Sequence, residues 1–231
     1  MMHTNDARRG AAPLLEAAVC DFLRELNGSE IFLHSLLLIQ HGTTLAEAYA
    51  PPFAAHTPQR MFSISKSIVS VCIGCCAEMG LLDLDDRIVA FFPDKQPGGT
   101  AYPEMQALTI RQMLMMQTPH SANAYKVLGG KDWVRDFFSL PPDHEAGSLF
   151  FYDTACVHTL GALVEKLSGL PLERFFRERV LRPLSLENEP FAFLRDPCGI
   201  CQGGSGLVTT PRCVAGVFQL LLGQGAANGR R

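Results

Sequence analysis

Leu14, Leu15, Ala18, Val19, Phe22, Leu23 and Leu26 recur at three- and four-residue intervals and stop at Asn27-Gly28. This periodicity predicts an amphipathic helix with a glycine terminator. The pattern then changes. Ser35 to Gln40 and Thr44 to Ala50 are short β-prone runs around His41-Gly42, where glycine supplies the positive φ of a tight turn, so a β-hairpin is expected. Pro51-Pro52 closes that segment. From Ser63 to Met79 an apolar run continues without a breaker as far as Gly80, and only Lys66 and Glu78 are charged in it. It predicts a buried helix with Gly80 at its C-terminal turn.

Further helical patterns lie at Thr109 to Gln117, Lys131 to Phe138, Thr154 to Ser168, Leu172 to Val180 and Pro211 to Leu222, with Pro- and Gly-rich turns between them. Thr210-Pro211 combines an N-cap residue with proline at the first helical position. A hairpin first and many helices after it indicate an α+β architecture, expected as a single domain over residues 1–231.

Composition narrows the function classes. Apolar residues make up 47% of the 231, enough for a packed core, which excludes a disordered or collagen-like chain. With 20 basic against 23 acidic residues the formal net charge is −3, so there is no basic surplus to neutralise a phosphate backbone, and no nucleic acid is expected as partner. The longest apolar stretches, such as Ile68 to Ala77, reach about half of the ~20 residues a bilayer span needs, and no membrane is expected either. Arg8-Arg9 and Ala11 to Cys20 have the outline of a short leader, but Glu16 interrupts it and no small-x-small site follows, which points to a cytoplasmic protein. Eight cysteines fall below the density of a secreted disulfide scaffold and are expected to be mostly small core thiols.

One short motif carries candidate chemistry. Ser63-Ile64-Ser65-Lys66 is an S-x-x-K sequence, and on a helix this spacing sets the Ser and Lys side chains one turn apart on one face. A serine hydroxyl attacks poorly until a base removes its proton, and a neighbouring lysine can assist that transfer. The bland alternative is an ordinary N-cap serine beside a surface lysine. Context decides between them.

Phe62 to Ser67, then Gly74, Gly80 to Asp86 and Phe92-Pro93, together resemble the serine β-lactamase-related family of class C β-lactamases, D-alanyl-D-alanine peptidases, esterases and aminohexanoate-oligomer hydrolases. Further segments resemble that family in its order: Leu108 to Met116, Phe151-Tyr152-Asp153-Thr154 with Leu160-Gly161 and Gly169, Pro183 to Leu186, and Gly203 to Leu207 with Thr210. The resemblance runs from about Leu36 to Leu222. It implies a β-lactamase/transpeptidase-like fold, with the N-terminal helix and hairpin belonging to an antiparallel sheet beside a large helical region. It also implies Ser63 as the acylated nucleophile, Lys66 as its proton partner, Tyr152 as a further base or shuttle, and Thr154 at the substrate-binding position. No cofactor and no metal are implied, and the expected partner is a small-molecule ester, amide or lactam.

The chain departs from the family pattern at several points. Thr154 stands where an Asn or Ser is usual, Gln117-Thr118-Pro119-His120 where a Ser-Gly turn is usual, and Glu145-Ala146-Gly147 where Pro-Gly is usual. The Lys-Thr-Gly or His-x-Gly motif and the C-terminal sheet strands that carry it are expected beyond Arg231, so the chain reads as truncated before the third motif. Two other readings stay open. One is a catalytically silent relative that acts as a binding module. The other is a zinc-stabilised domain using Cys72-x-x-Cys75-Cys76 and Cys198-x-x-Cys201, although three of these cysteines lie inside a predicted core helix. His158, on the helix after Tyr152, is expected to pack or cap.

Overall fold

The structure is a computed structural model and describes residues 6–226, with side chains from Leu15 onward; Leu14 and the leader-like Arg8-Arg9 side chains lie outside the described ones. In chain order the elements are α1 (Asp6–Asn27), β1 (Ser35–Gln40), β2 (Thr43–Tyr49), β3 (Gln59–Phe62), α2 (Ile64–Glu78), α3 (Ile88–Phe91), α4 (Pro103–Gln106), α5 (Ile110–Leu114), α6 (Ala124–Leu128) and α7 (Trp133–Ser139). They continue with α8 (Thr154–Ser168), α9 (Leu172–Phe176), β4 (Phe191–Phe193), β5 (Leu207–Thr209) and α10 (Pro211–Leu222). The fold is α+β. Two compact units divide the described residues, one made of those up to Thr57 and from Thr210 onward and the other of Pro58–Thr209.

In the first unit β1 and β2 form the expected antiparallel hairpin, with Gln40 opposite Thr43. Both turn residues are left-handed, His41 at φ 49° and Gly42 at φ 76°, the pairing a two-residue turn needs to match strand twist. α10 packs on β1, and Arg212 in its first turn makes a two-pronged contact with Glu47 of β2, Nε to Oε1 at 2.6 Å and Nη2 to Oε2 at 2.9 Å. Thr210 caps α10 by accepting from Cys213 N–H at 3.1 Å.

The second unit is built on α8. This helix buries every residue from Ala155 to Val164, and α2, α5, α7 and α9 all pack against it. α2 buries Ile68, Val69, Cys72, Ile73 and Cys76 and α8 buries Leu160, Leu163 and Val164, and Phe137, Phe138, Phe175 and Phe176 are buried with them in the core. Each such large side chain withdrawn from water contributes roughly 1.5–3 kcal/mol. α2 is less buried than its composition predicts: Ser70, Gly74 and Glu78 are exposed, so only one stripe of the helix faces the core. The helix expected over Leu172 to Val180 ends at Phe176 and widens into a π-helical turn over Arg177–Leu181.

This unit also holds a three-stranded antiparallel sheet in the order β3-β5-β4. Its strands are three or four residues long, and β3 delivers the chain directly into α2. Among the described residues no helix is long and apolar enough to cross a membrane.

Candidate active site

The sequence from β3 to α2 turns sharply at Phe62, a non-glycine residue held left-handed at φ 44°. Such a conformation is uncommon for an aromatic residue and persists only where its surroundings enforce it. Ser63 follows at the N-cap position with φ −71° and ψ −8°, and its side chain makes no capping bond. The hydroxyl is exposed and instead accepts from Lys66 Nζ at 3.2 Å. The one-turn spacing of the motif therefore places serine and lysine in contact.

Lys66 is half-buried and saturated with acceptors. Its ammonium donates to the carbonyl oxygen of Gly204 at 2.6 Å, to Thr154 Oγ1 at 3.3 Å and to Ser63 Oγ. The ring of Tyr152 faces the same nitrogen, with its centroid 4.7 Å away, a cation–π distance. Burial pushes the Tyr152 phenol up, but hydrogen bonding to Ser63 and Lys66 and the lysine charge outweigh it, and its pKa lies below the ordinary tyrosine value. Ser63, Tyr152 and Thr154, three of the four residues that the sequence singled out, thus converge on the fourth, Lys66. Thr154 is directed at Lys66 itself.

The Gly203 to Leu207 segment explains how a backbone carbonyl reaches that cation. A Cβ on Gly204 would lie 2.4 Å from Thr154 O and 2.6 Å from Thr154 Cγ2, and one on Gly161 would lie 3.3 Å from Gly203 Cα. Only glycine permits this approach of the loop to the start of α8. Ser65, fully buried, donates to Phe62 O at 2.5 Å and accepts from Leu207 N–H at 3.0 Å. Neither Gly204 as an acceptor nor Ser65 as a link is legible in an S-x-x-K pattern, although the glycine run itself was visible.

Asp153, between Tyr152 and Thr154, caps α8 by accepting from Ala155 N–H at 2.8 Å. It is fully buried, and burial pushes its carboxyl up to about 6 against the pull of the Ala155 and Cys156 amides and the Lys66 charge. His120 Nδ1 stands 4.0 Å from Asp153 Oδ2, and burial pushes this imidazole down to about 4. His158 packs as expected: it is buried and its Nε2 lies 3.1 Å from Asp196 Oδ2. Cys72, Cys76, Cys156, Cys201 and Cys213 are buried thiols, whereas Cys20 and Cys198 are exposed. Among the described residues no three His, Cys, Asp or Glu side chains come together as a ligand set for a metal.

The fold is of the β-lactamase/transpeptidase type. A sequence model of the Beta-lactamase family matches residues 30–227, and the chain belongs to that family. It is 24% identical over 170 residues to monacolin J acid methylbutanoyltransferase of Aspergillus terreus, covering 64% of this chain and 41% of that protein. It is 25% identical over 141 residues to a beta-lactamase of Yersinia enterocolitica, covering 59% of this chain and 34% of that one. The chain thus spans between about one third and two-fifths of the length of these curated relatives. Among solved structures it is similar to EstCE1, a hydrolase with promiscuous acyltransferase activity, with a TM-score of 0.77 at 20% identity over 96% of this chain and 75% of that one. It is also similar to the octameric penicillin-binding protein homologue from Pyrococcus abyssi, with a TM-score of 0.65 at 18% identity over 93% and 57% of the two chains.

Proposed function

We propose that this chain carries the nucleophile of a serine hydrolase that opens an ester or amide bond of a small molecule, a β-lactam included, through an acyl-enzyme on Ser63. The observation that carries the proposal is the Lys66 ammonium, shared between Ser63 Oγ, Thr154 Oγ1, the Gly204 carbonyl and the Tyr152 ring. The Gly204 carbonyl can only accept, so it holds Lys66 by an N–H and aims the remaining donors at the two hydroxyls.

In the proposed cycle Tyr152, whose ionisation the lysine favours, takes the Ser63 proton as Oγ attacks the substrate carbonyl carbon. The tetrahedral intermediate collapses, the bond to the leaving alcohol or amine breaks, and Tyr152 returns the proton to it. Water then attacks the acyl-serine by the same route, releasing the acid and restoring Ser63. Lys66 donates to Ser63 Oγ, and its charge offsets that of the phenolate. Transfers of this kind typically contribute about 10²–10⁴ in rate.

Phe62, next to Ser63, and Phe150, two residues before Tyr152, are both exposed, which supports a substrate with apolar groups flanking the scissile bond. A second reading concerns the acceptor: because the first relatives are named as acyltransferases, an alcohol in place of water would give transesterification by the same steps. Hydrolysis of p-nitrophenyl butyrate and of a chromogenic cephalosporin by the wild type and by Ser63→Ala tests the proposal. Turnover of either substrate by the wild type and its loss in Ser63→Ala is expected. Adding a primary alcohol and finding its butyrate ester separates transfer from hydrolysis. A folded chain inert towards both substrates favours the silent binding module instead.

A further inference from the structure

Ser65 is the third residue of the motif, and the cycle above gives it no role. Its side chain has no exposed surface, yet its one hydroxyl serves two partners that belong to different parts of the site. It donates to the carbonyl of Phe62, the left-handed residue that sets the direction of Ser63. It accepts from the N–H of Leu207, the first residue of β5. The register of β3 against β5 slips between Arg60 and Phe62, where Phe62 stands opposite Leu207, and the Leu207 N–H is taken up there by the serine hydroxyl.

Leu207 is also where the Gly203–Gly206 loop ends, and that loop supplies the Gly204 carbonyl 2.6 Å from Lys66 Nζ. Two groups that must hold their relative geometry therefore depend on one hydroxyl: the turn that aims the nucleophile and the loop that aims its lysine. A helical serine often bonds back to a carbonyl three or four residues earlier for purely local reasons. Here the same oxygen also accepts from a strand more than a hundred residues away, which a local role does not need.

We infer that Ser65 is a positioning residue that clamps the Phe62 turn and the start of β5 together, so that Ser63 and Lys66 stay in contact. The inference rests on Ser63 being the nucleophile, as proposed above. Replacement by alanine leaves the buried Leu207 N–H without its acceptor and frees the Phe62 carbonyl. A displacement of the order of 1 Å between reacting groups typically lowers rate about 100-fold. Threonine keeps the hydroxyl and is able to bond back in a helix as serine does.

The experiment follows covalent labelling by a fluorophosphonate under saturating probe, with the adduct assigned by peptide mapping, alongside amide hydrogen exchange. In Ser65→Ala the limiting labelling rate should fall about 10- to 100-fold with the half-saturating probe concentration unchanged. The Leu207 amide should exchange at least about tenfold faster while Thr209, in the same strand, keeps its protection, and Ser65→Thr should restore both quantities. Where Ser65→Ala does not fold, Ser65→Cys, similar in size but a weaker donor and acceptor, takes its place under the same criteria. A limiting rate within twofold of the wild type overturns the inference. So does a slow Ser65→Thr whose Leu207 amide is fully protected, because the clamp would then be intact without its effect. A wild-type adduct on a residue other than Ser63 defeats the nucleophile assignment itself, a result separate from either outcome in the Ser65 variants.

Discussion

Replacing Gly204 with alanine adds one methyl group at the point where the glycine loop crosses the start of α8. That methyl would stand 2.4 Å from the carbonyl oxygen of Thr154 and 2.6 Å from its Cγ2, one a backbone atom and the other on a branched, packed side chain. To reach an ordinary contact of about 3.2 Å the loop must retreat by about 0.8 Å, and overpacking of this kind typically costs about 1–3 kcal/mol. The Gly204 carbonyl, now 2.6 Å from Lys66 Nζ, would move with it towards or beyond the limit of a hydrogen bond. Misplacement on this scale typically lowers rate about 100-fold. The same free energy should lower the unfolding midpoint by about 3–10 °C in a domain of this size. Thermal unfolding and hydrolysis of p-nitrophenyl butyrate, measured on the same sample, check both figures. Gly74→Ala serves as the control, since its methyl would enter open space on the exposed side of α2; it should stabilise by up to about 1 kcal/mol and leave the rate alone. A Gly204→Ala protein with both midpoint and rate unchanged would refute the close-approach argument.

Three further outcomes are expected. Lys66→Met and Tyr152→Phe should each lower kcat/KM by about 10²–10³, and the double variant should fall little below the worse single one because the lysine charge acts through the one proton transfer that Tyr152 performs; a double variant showing the full product contradicts that coupling. Burial holds His120 near pKa 4 in the fold against about 6.5 when unfolded, so its destabilising effect is absent above pH 6.5 and grows as pH falls towards 4. His120→Leu should therefore gain about 2 kcal/mol relative to the wild type between pH 7 and pH 4.5 in urea unfolding, and no relative gain sinks the assignment. Asp153 acts in the opposite sense: its raised pKa of about 6 makes the folded chain lose stability as pH rises from about 4 to about 6, and Asp153→Asn should flatten that decline.

The parts of the fold that were legible are those whose signal is local and repeated. Thr154–Ser168 and Pro211–Leu222 coincide with their expected helices, because each carries 3.6-residue periodicity, to which Thr210 adds an N-cap that marks the start of the second. The hairpin was announced by His41-Gly42 in the same way. The β3-β5-β4 sheet was not, since strands of three or four residues give no alternation to read, and β3 pairs with β5 across more than 140 positions. In the site, Ser63, Lys66, Tyr152 and Thr154 were visible because their residue types and order carry a pattern. Gly204 and Ser65 act through a carbonyl oxygen and through a hydroxyl buried between elements. The His120–Asp153 pair is joined across 33 residues by burial alone. These are properties of the folded chain that no spacing rule encodes.

Intact-mass analysis of the purified chain after reaction with a fluorophosphonate, followed by peptide mapping, bears most directly on the account. A single adduct on Ser63, absent from Ser63→Ala and slowed in Lys66→Met, is the result it predicts. An adduct that persists in Ser63→Ala, or a well-folded wild type that gains none, would contradict it.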